Sequence, residues 1–83
     1  MNKLFLEQAY KKIAPNFMTP KVREWEITGD GRVIELSEGN GIDGRDIYGV
    51  TEFEEVDGWL QTTRRGQMHS TIISARKHYN NLK

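Results

Sequence analysis

The chain has 83 residues, with 12 Lys and Arg, 12 Asp and Glu, 2 His, no Cys and a formal net charge of zero. That length allows a single domain, and the lack of Cys excludes a disulfide scaffold or a thiolate zinc site. Ile, Leu, Val and Phe make up about 23% of the chain, lean for a folded domain but above the composition of disordered segments.

Glycine divides the chain. All eight Gly lie between Gly29 and Gly66, and glycine marks turns and weakens helices. The pattern predicts a turn-rich β middle flanked by two helices.

The first helix is predicted over residues 3–14. Leu6, Ala9, Tyr10 and Ile13 recur at helical spacing with Phe5 beside them, and Glu7, Gln8, Lys11 and Lys12 take the other face. Asn2 is placed to cap its start. Pro15 ends it, because the residue before a proline avoids helical backbone angles. Pro15 and Pro20 stiffen the connector, and Phe17 and Met18 are expected to anchor it to the core.

Residues 23–28 alternate, with Trp25 and Ile27 on one face and Glu24 and Glu26 on the other. Gly29-Asp30-Gly31 supplies a tight hairpin turn, and Val33, Ile34 and Leu36 carry the return strand. Residues 38–46 (EGNGIDGRD) hold three Gly and read as a long loop. Residues 47–54 are rich in β-formers. Their apolar positions 47, 50 and 53 also fit a helix, but Gly49 and the β-branched residues argue for a strand. Val56-Asp57-Gly58 turns the chain into a fourth strand over residues 59–63.

The last element is a helix with Ser70 at its N-cap position. Met68, Ile72, Ala75, Tyr79 and Leu82 form a narrow apolar stripe along it. The adjacent Ile72 and Ile73 leave open that residues 68–73 extend the sheet and the helix begins later. The fold class is therefore α+β: a single domain over residues 1–83, with a small antiparallel sheet of three to four strands in two hairpins. A helix stands at each end of the chain, in the order α-β-β-β-β-α.

Charge is zero only on average. Residues 1–23 carry +4, residues 24–57 carry −9 and residues 58–83 carry +5. Three readings follow. The preferred one lays basic helices on an acidic sheet, so that the charges pair within one molecule. In the second, opposite patches draw molecules together. In the third, the basic ends grip nucleic-acid phosphates, although eleven acids in the middle would repel the same ligand.

The motifs are weak. Gly39-Asn40-Gly41-Ile42-Asp43-Gly44 matches G-x-G-x-x-G, but a dinucleotide site needs that string to open a helix within a βαβ unit. Arg45-Asp46-Ile47-Tyr48-Gly49-Val50 is no helix start, and Glu38, Asp43 and Asp46 would repel a pyrophosphate. No register fits a calcium-binding EF-hand loop. A non-EF cation site on Asn40, Asp43 and Asp46 is a remote alternative to an exposed polar loop. His69 and His78 are nine residues apart, half a turn out of phase on one helix, and so point to opposite sides. That spacing excludes a shared metal and leaves two surface histidines. His69-Ser70 offers a base beside a hydroxyl, but Ser70 is better used as a cap.

No catalytic residue, cofactor or metal ligand is assigned, and the protein is not read as an enzyme. The candidate contact residues are Arg64, Arg65, Arg76 and Lys77, with Trp59 as a stacking surface and Lys11 and Lys12 as secondary basic positions. For Arg64 and Arg65 the preferred reading is pairing with the acidic strand Glu52–Glu55 across the hairpin. The expected function is a small non-catalytic protein-interaction module. It would self-associate as a homodimer through its segregated charge, or through Tyr79 and Leu82 on the last helix, or bind a protein partner. The alternative is a nucleic-acid-binding accessory protein using the basic C-terminal segment. No apolar run nears the roughly 20 residues of a membrane span, and MNKLFLEQAYKK lacks the form of a secretion signal. A soluble, cytoplasmic protein with no membrane partner is therefore expected.

Overall fold

The structure is a computed structural model and describes residues 3–13 and 21–83. The proposed Asn2 cap, the Pro15 stop and the Phe17 and Met18 anchors lie outside the described residues. The elements are α1 (Lys3–Ile13), β1 (Lys21–Ile27), β2 (Val33–Asn40), β3 (Asp46–Val56), β4 (Trp59–Thr62), β5 (Gln67–His69) and α2 (Ile72–Leu82). The order α-β-β-β-β-β-α confirms the α+β class, with one short strand more than the sequence pattern implied.

The sheet is an antiparallel meander in the order β1-β2-β3-β4, and β5 pairs with β3 beyond β4. Its first two turns share one design. Thr28 N–H donates to the Arg32 carbonyl (2.8 Å) and Gly31 N–H to the Thr28 carbonyl (3.1 Å). Gly41 N–H donates to the Arg45 carbonyl (2.8 Å) and Gly44 N–H to the Gly41 carbonyl (3.0 Å). Each turn closes on an Asp-Gly pair whose glycine takes positive φ, 88° at Gly31 and 80° at Gly44, as three-residue hairpin loops require. The long loop expected over residues 38–46 therefore shrinks to 41–45. Gly39 and Asn40 instead pair with Ile47 and Asp46, since a backbone ladder needs no side chain. The third turn uses two residues, Asp57 (φ 52°) and Gly58 (φ 85°).

Between β4 and β5 the chain leaves the ladder for one turn. Thr63 N–H still donates to the Glu52 carbonyl (2.8 Å), residues 64 and 65 turn outward, and β5 then rejoins β3 with Tyr48 opposite His69. Gly66 permits the return, because a Cβ there would stand 2.8 Å from the Val50 carbonyl oxygen. Residues 67–69 thus extend the sheet, which realises part of the extension over 68–73 left open above, whereas Ile72 and Ile73 are helical. The helix starts later and is capped by Thr71, not Ser70: the Thr71 hydroxyl accepts from Ser74 N–H (3.2 Å).

The helices cover opposite faces. Ala75, Tyr79 and Leu82 of α2 pack on Ile34, Leu36 and Val50, with Ile72 and Tyr48 at the margin. Leu6 and Tyr10 of α1 pack on Val33 and Phe53, with Ile13, Trp25, Ile27 and Leu60 around them. Alternation along a strand sends Val33 and Ile34 to different faces, so β2 is buried on both sides, and Val33 to Ser37 are all buried. Met68, counted in the helical stripe, is on β5 and exposed.

Candidate functional site

Arg23, Arg32, Arg65, Arg76 and Lys83 pair with carboxylates of the strands. Arg76 pairs with Glu24 and Lys83 with Glu26 (3.0 Å). Tyr79, buried, donates its hydroxyl to Glu26 at 3.1 Å. Its acidity is suppressed by burial and by the neighbouring Glu26. Glu52 is only 1% exposed, yet it holds Arg32, accepts from the Thr63 hydroxyl (2.7 Å) and lies 3.6 Å from Arg65. Arg32 also donates to the Leu82 carbonyl (3.0 Å), which ties the end of α2 to the sheet. These donors offset the cost of burying the carboxylate, and removing one would leave an uncompensated charge.

Of the five contact candidates, Arg65 and Arg76 are thus engaged within the molecule. Arg64 and Lys77 make no ion pair among the described residues. Trp59 is 74% exposed on β4. Tyr79 and Leu82 are core residues, 0% and 4% exposed, and present nothing to a twin.

Trp59 borders a groove of about 260 Å³ between α1 and the β3–β4 hairpin, lined by Phe5, Ala9 and Ile13 on one wall and by Gly58, Trp59 and Leu60 on the other. Phe5 and the nearby Leu4 are exposed apolar residues. Lys12 stands at the helical wall, and the hairpin wall ends in the exposed Asp57.

The same face of the sheet holds a second hollow, about 230 Å³, between Glu35, Ser37, Thr51, Thr62 and Met68. Glu35 is buried and accepts a 2.5 Å hydrogen bond from the Tyr10 hydroxyl. Burial pushes its carboxyl above the usual range, against the opposing effect of that hydrogen bond. Tyr10 is held in place by stacking on Trp25, with ring centroids 4.4 Å apart. Sequence reading passed over Glu35. The signal was its phase with Val33, which buries it once β2 is covered on both faces.

The histidines overturn their sequence reading. His69 is on β5 and His78 on α2, and the bend at residues 70 and 71 between the two elements brings them together. His69 Nε2 lies 2.8 Å from His78 Nδ1, and the rings meet edge to face. Ser74 Oγ lies 2.8 Å from His69 Nδ1, and His78 Nε2 lies 2.8 Å from the Arg65 carbonyl oxygen. Burial and the neighbouring imidazole lower the basicity of His69.

Among the described residues no helix is long and apolar enough to cross a membrane. Compared with protein-family models, curated proteins and solved structures, the chain matches none.

Proposed function

We propose that the protein is a non-catalytic interaction module whose partner is a second copy of itself, joined through the groove between α1 and the β3–β4 hairpin. The observation that supports this reading is the pairing of a protruding indole with an apolar groove in one patch. A two-fold dimer needs a self-complementary surface, and here each Trp59 can enter the groove of the other copy. Burying an indole removes roughly 150–250 Å² from water, worth about 4–6 kcal/mol at 25 cal/mol/Å² before the cost of association.

The nucleic-acid reading has less support, because Arg65 and Arg76 are committed to Glu52 and Glu24. Sedimentation equilibrium tests the proposal. The expected result is a concentration-dependent dimer for the natural chain and a monomer for Trp59→Ser. A chain that stays monomeric to millimolar concentration overturns it. Oligonucleotide anisotropy at about 50 mM salt, where phosphate contacts are strongest, should show no micromolar binding. Binding that is lost in Arg64→Ala/Arg65→Ala would favour the alternative.

A further inference from the structure

We propose that His69 and His78 form a two-imidazole site for a divalent late transition-metal ion, Cu²⁺ or Ni²⁺, at the junction of β5 and α2. The two inner ring nitrogens face one another at 2.8 Å, and each outer nitrogen has its own fixed partner, Ser74 Oγ or the Arg65 carbonyl. The outer nitrogens are held as in metal-bound imidazoles, whose second nitrogen is fixed by a carbonyl, a carboxylate or another oxygen.

The hydrogen positions can be inferred from the partners. A carbonyl only accepts, so His78 Nε2 carries a proton and His78 Nδ1 offers a lone pair. In the metal-free chain His69 Nε2–H donates to that lone pair, and the Ser74 hydroxyl donates to His69 Nδ1. With a metal the proton of His69 moves to Nδ1, where it donates to Ser74 Oγ, and Nε2 becomes a ligand. Both forms keep the ring neutral, so the exchange balances without losing a proton. His78 needs no change of tautomer.

Ligand chemistry selects the ion. Imidazole nitrogen suits late transition metals, and Cu²⁺ stands highest in the affinity order of the divalent first-row ions, with Ni²⁺ next below it on the rising side. Each ring must pivot about its outer hydrogen bond so that the lone pairs converge. Among the described residues no third His or carboxylate completes the pair, so water fills the remaining positions, and Mg²⁺ and Ca²⁺, which want oxygen ligands, are disfavoured.

The test is titration of the full chain with Cu²⁺, followed by calorimetry and by electron paramagnetic resonance. One ion per chain is expected, with hyperfine structure from two nitrogens. His69→Gln and His78→Gln should each lose the two-nitrogen signature and at least tenfold in affinity. Ser74→Ala keeps both imidazoles but loses the orienting hydroxyl, and should bind about tenfold more weakly with the signature intact. Thermal melts, which should rise with Cu²⁺ only where both histidines remain, show that the variants fold. An unchanged signal in the His69→Gln/His78→Gln double variant, or no binding by the natural chain, overturns the site.

Discussion

Glu35 sits where a strand covered on both sides leaves no room for a solvated charge. Its carboxyl is raised by burial above the ordinary value of 4.5, so the native state holds the proton more tightly than the unfolded chain does. The sign follows from linkage. The contribution of this group to stability is fully present below its unfolded pKa and is lost as pH rises through the native one. Glu35→Gln keeps an acceptor for the Tyr10 hydroxyl and removes the titration. Urea midpoints between about pH 4 and 7, spanning the usual carboxylate range and above, should fall for the natural chain relative to the variant. Parallel curves would show that the carboxyl is not strained by its burial.

The cap of α2 makes a second test at the same scale. Thr71 supplies the hydroxyl that accepts from Ser74 N–H, so Thr71→Ala should cost about 1 kcal/mol. Ser70→Ala, one residue outside the helix, should change stability by less than about 0.5 kcal/mol. Chemical denaturation of the two variants decides between the caps. The sequence pattern placed the cap at Ser70, one residue early, because a cap is defined by where the helix begins, and that is set by the pairing of β5 with β3.

At the scale of elements, local signals proved legible and partner-dependent ones did not. The alternation of residues 23–28, the Asp-Gly turns and the stripe Ile72, Ala75, Tyr79, Leu82 each follow from backbone chemistry, and the structure has all of them. The short strand β5 was read only as an open alternative with other bounds, because its three residues gain meaning only from β3 across the ladder. Reading residues 69 and 78 on one helix put the histidines on opposite sides, and the intervening strand end reversed that. Of the contact candidates, Arg64 and Arg65 were expected to pair with the acidic strand, and among the described residues only Arg65 does. The groove at Trp59 was not, since it needs α1 and the hairpin side by side.

Two glycines separate close approach from simple turn propensity. Gly66→Ala drives a methyl against the Val50 carbonyl oxygen, where a Cβ would lie at 2.8 Å. It should cost about 1–3 kcal/mol and speed amide exchange in β5. Gly29→Ala meets nothing within 4 Å, and Gly29 is not among the positive-φ residues. It should be neutral or stabilise by up to about 1 kcal/mol through the unfolded chain. Comparable losses at both sites would mean that the tight contact at Gly66 does not hold β5 to β3.

At the scale of the whole molecule, the +4, −9, +5 charge pattern is folded back on itself. The pairs that close it, Arg76 with Glu24 and Lys83 with Glu26, are about 40% exposed. Each is worth little and is screened by salt. Association through segregated charge would collapse as salt rises, since exposed charges lose contact beyond roughly a Debye length, about 10 Å at 0.1 M and 3 Å at 1 M. Association through Trp59 and its groove rests on apolar burial, which salt does not weaken. Tryptophan emission distinguishes the two without a label. Trp25 stacks on Tyr10 beneath α1 and should report the same surroundings at every concentration, whereas Trp59 loses its water on dimerisation. The emission should shift to the blue with rising protein concentration, to the same extent at about 0.1 and 1 M salt, and the shift should vanish in Trp59→Ser. A shift present only at low salt would return the interface to the charges. An emission independent of concentration would leave the groove without a second copy to fill it.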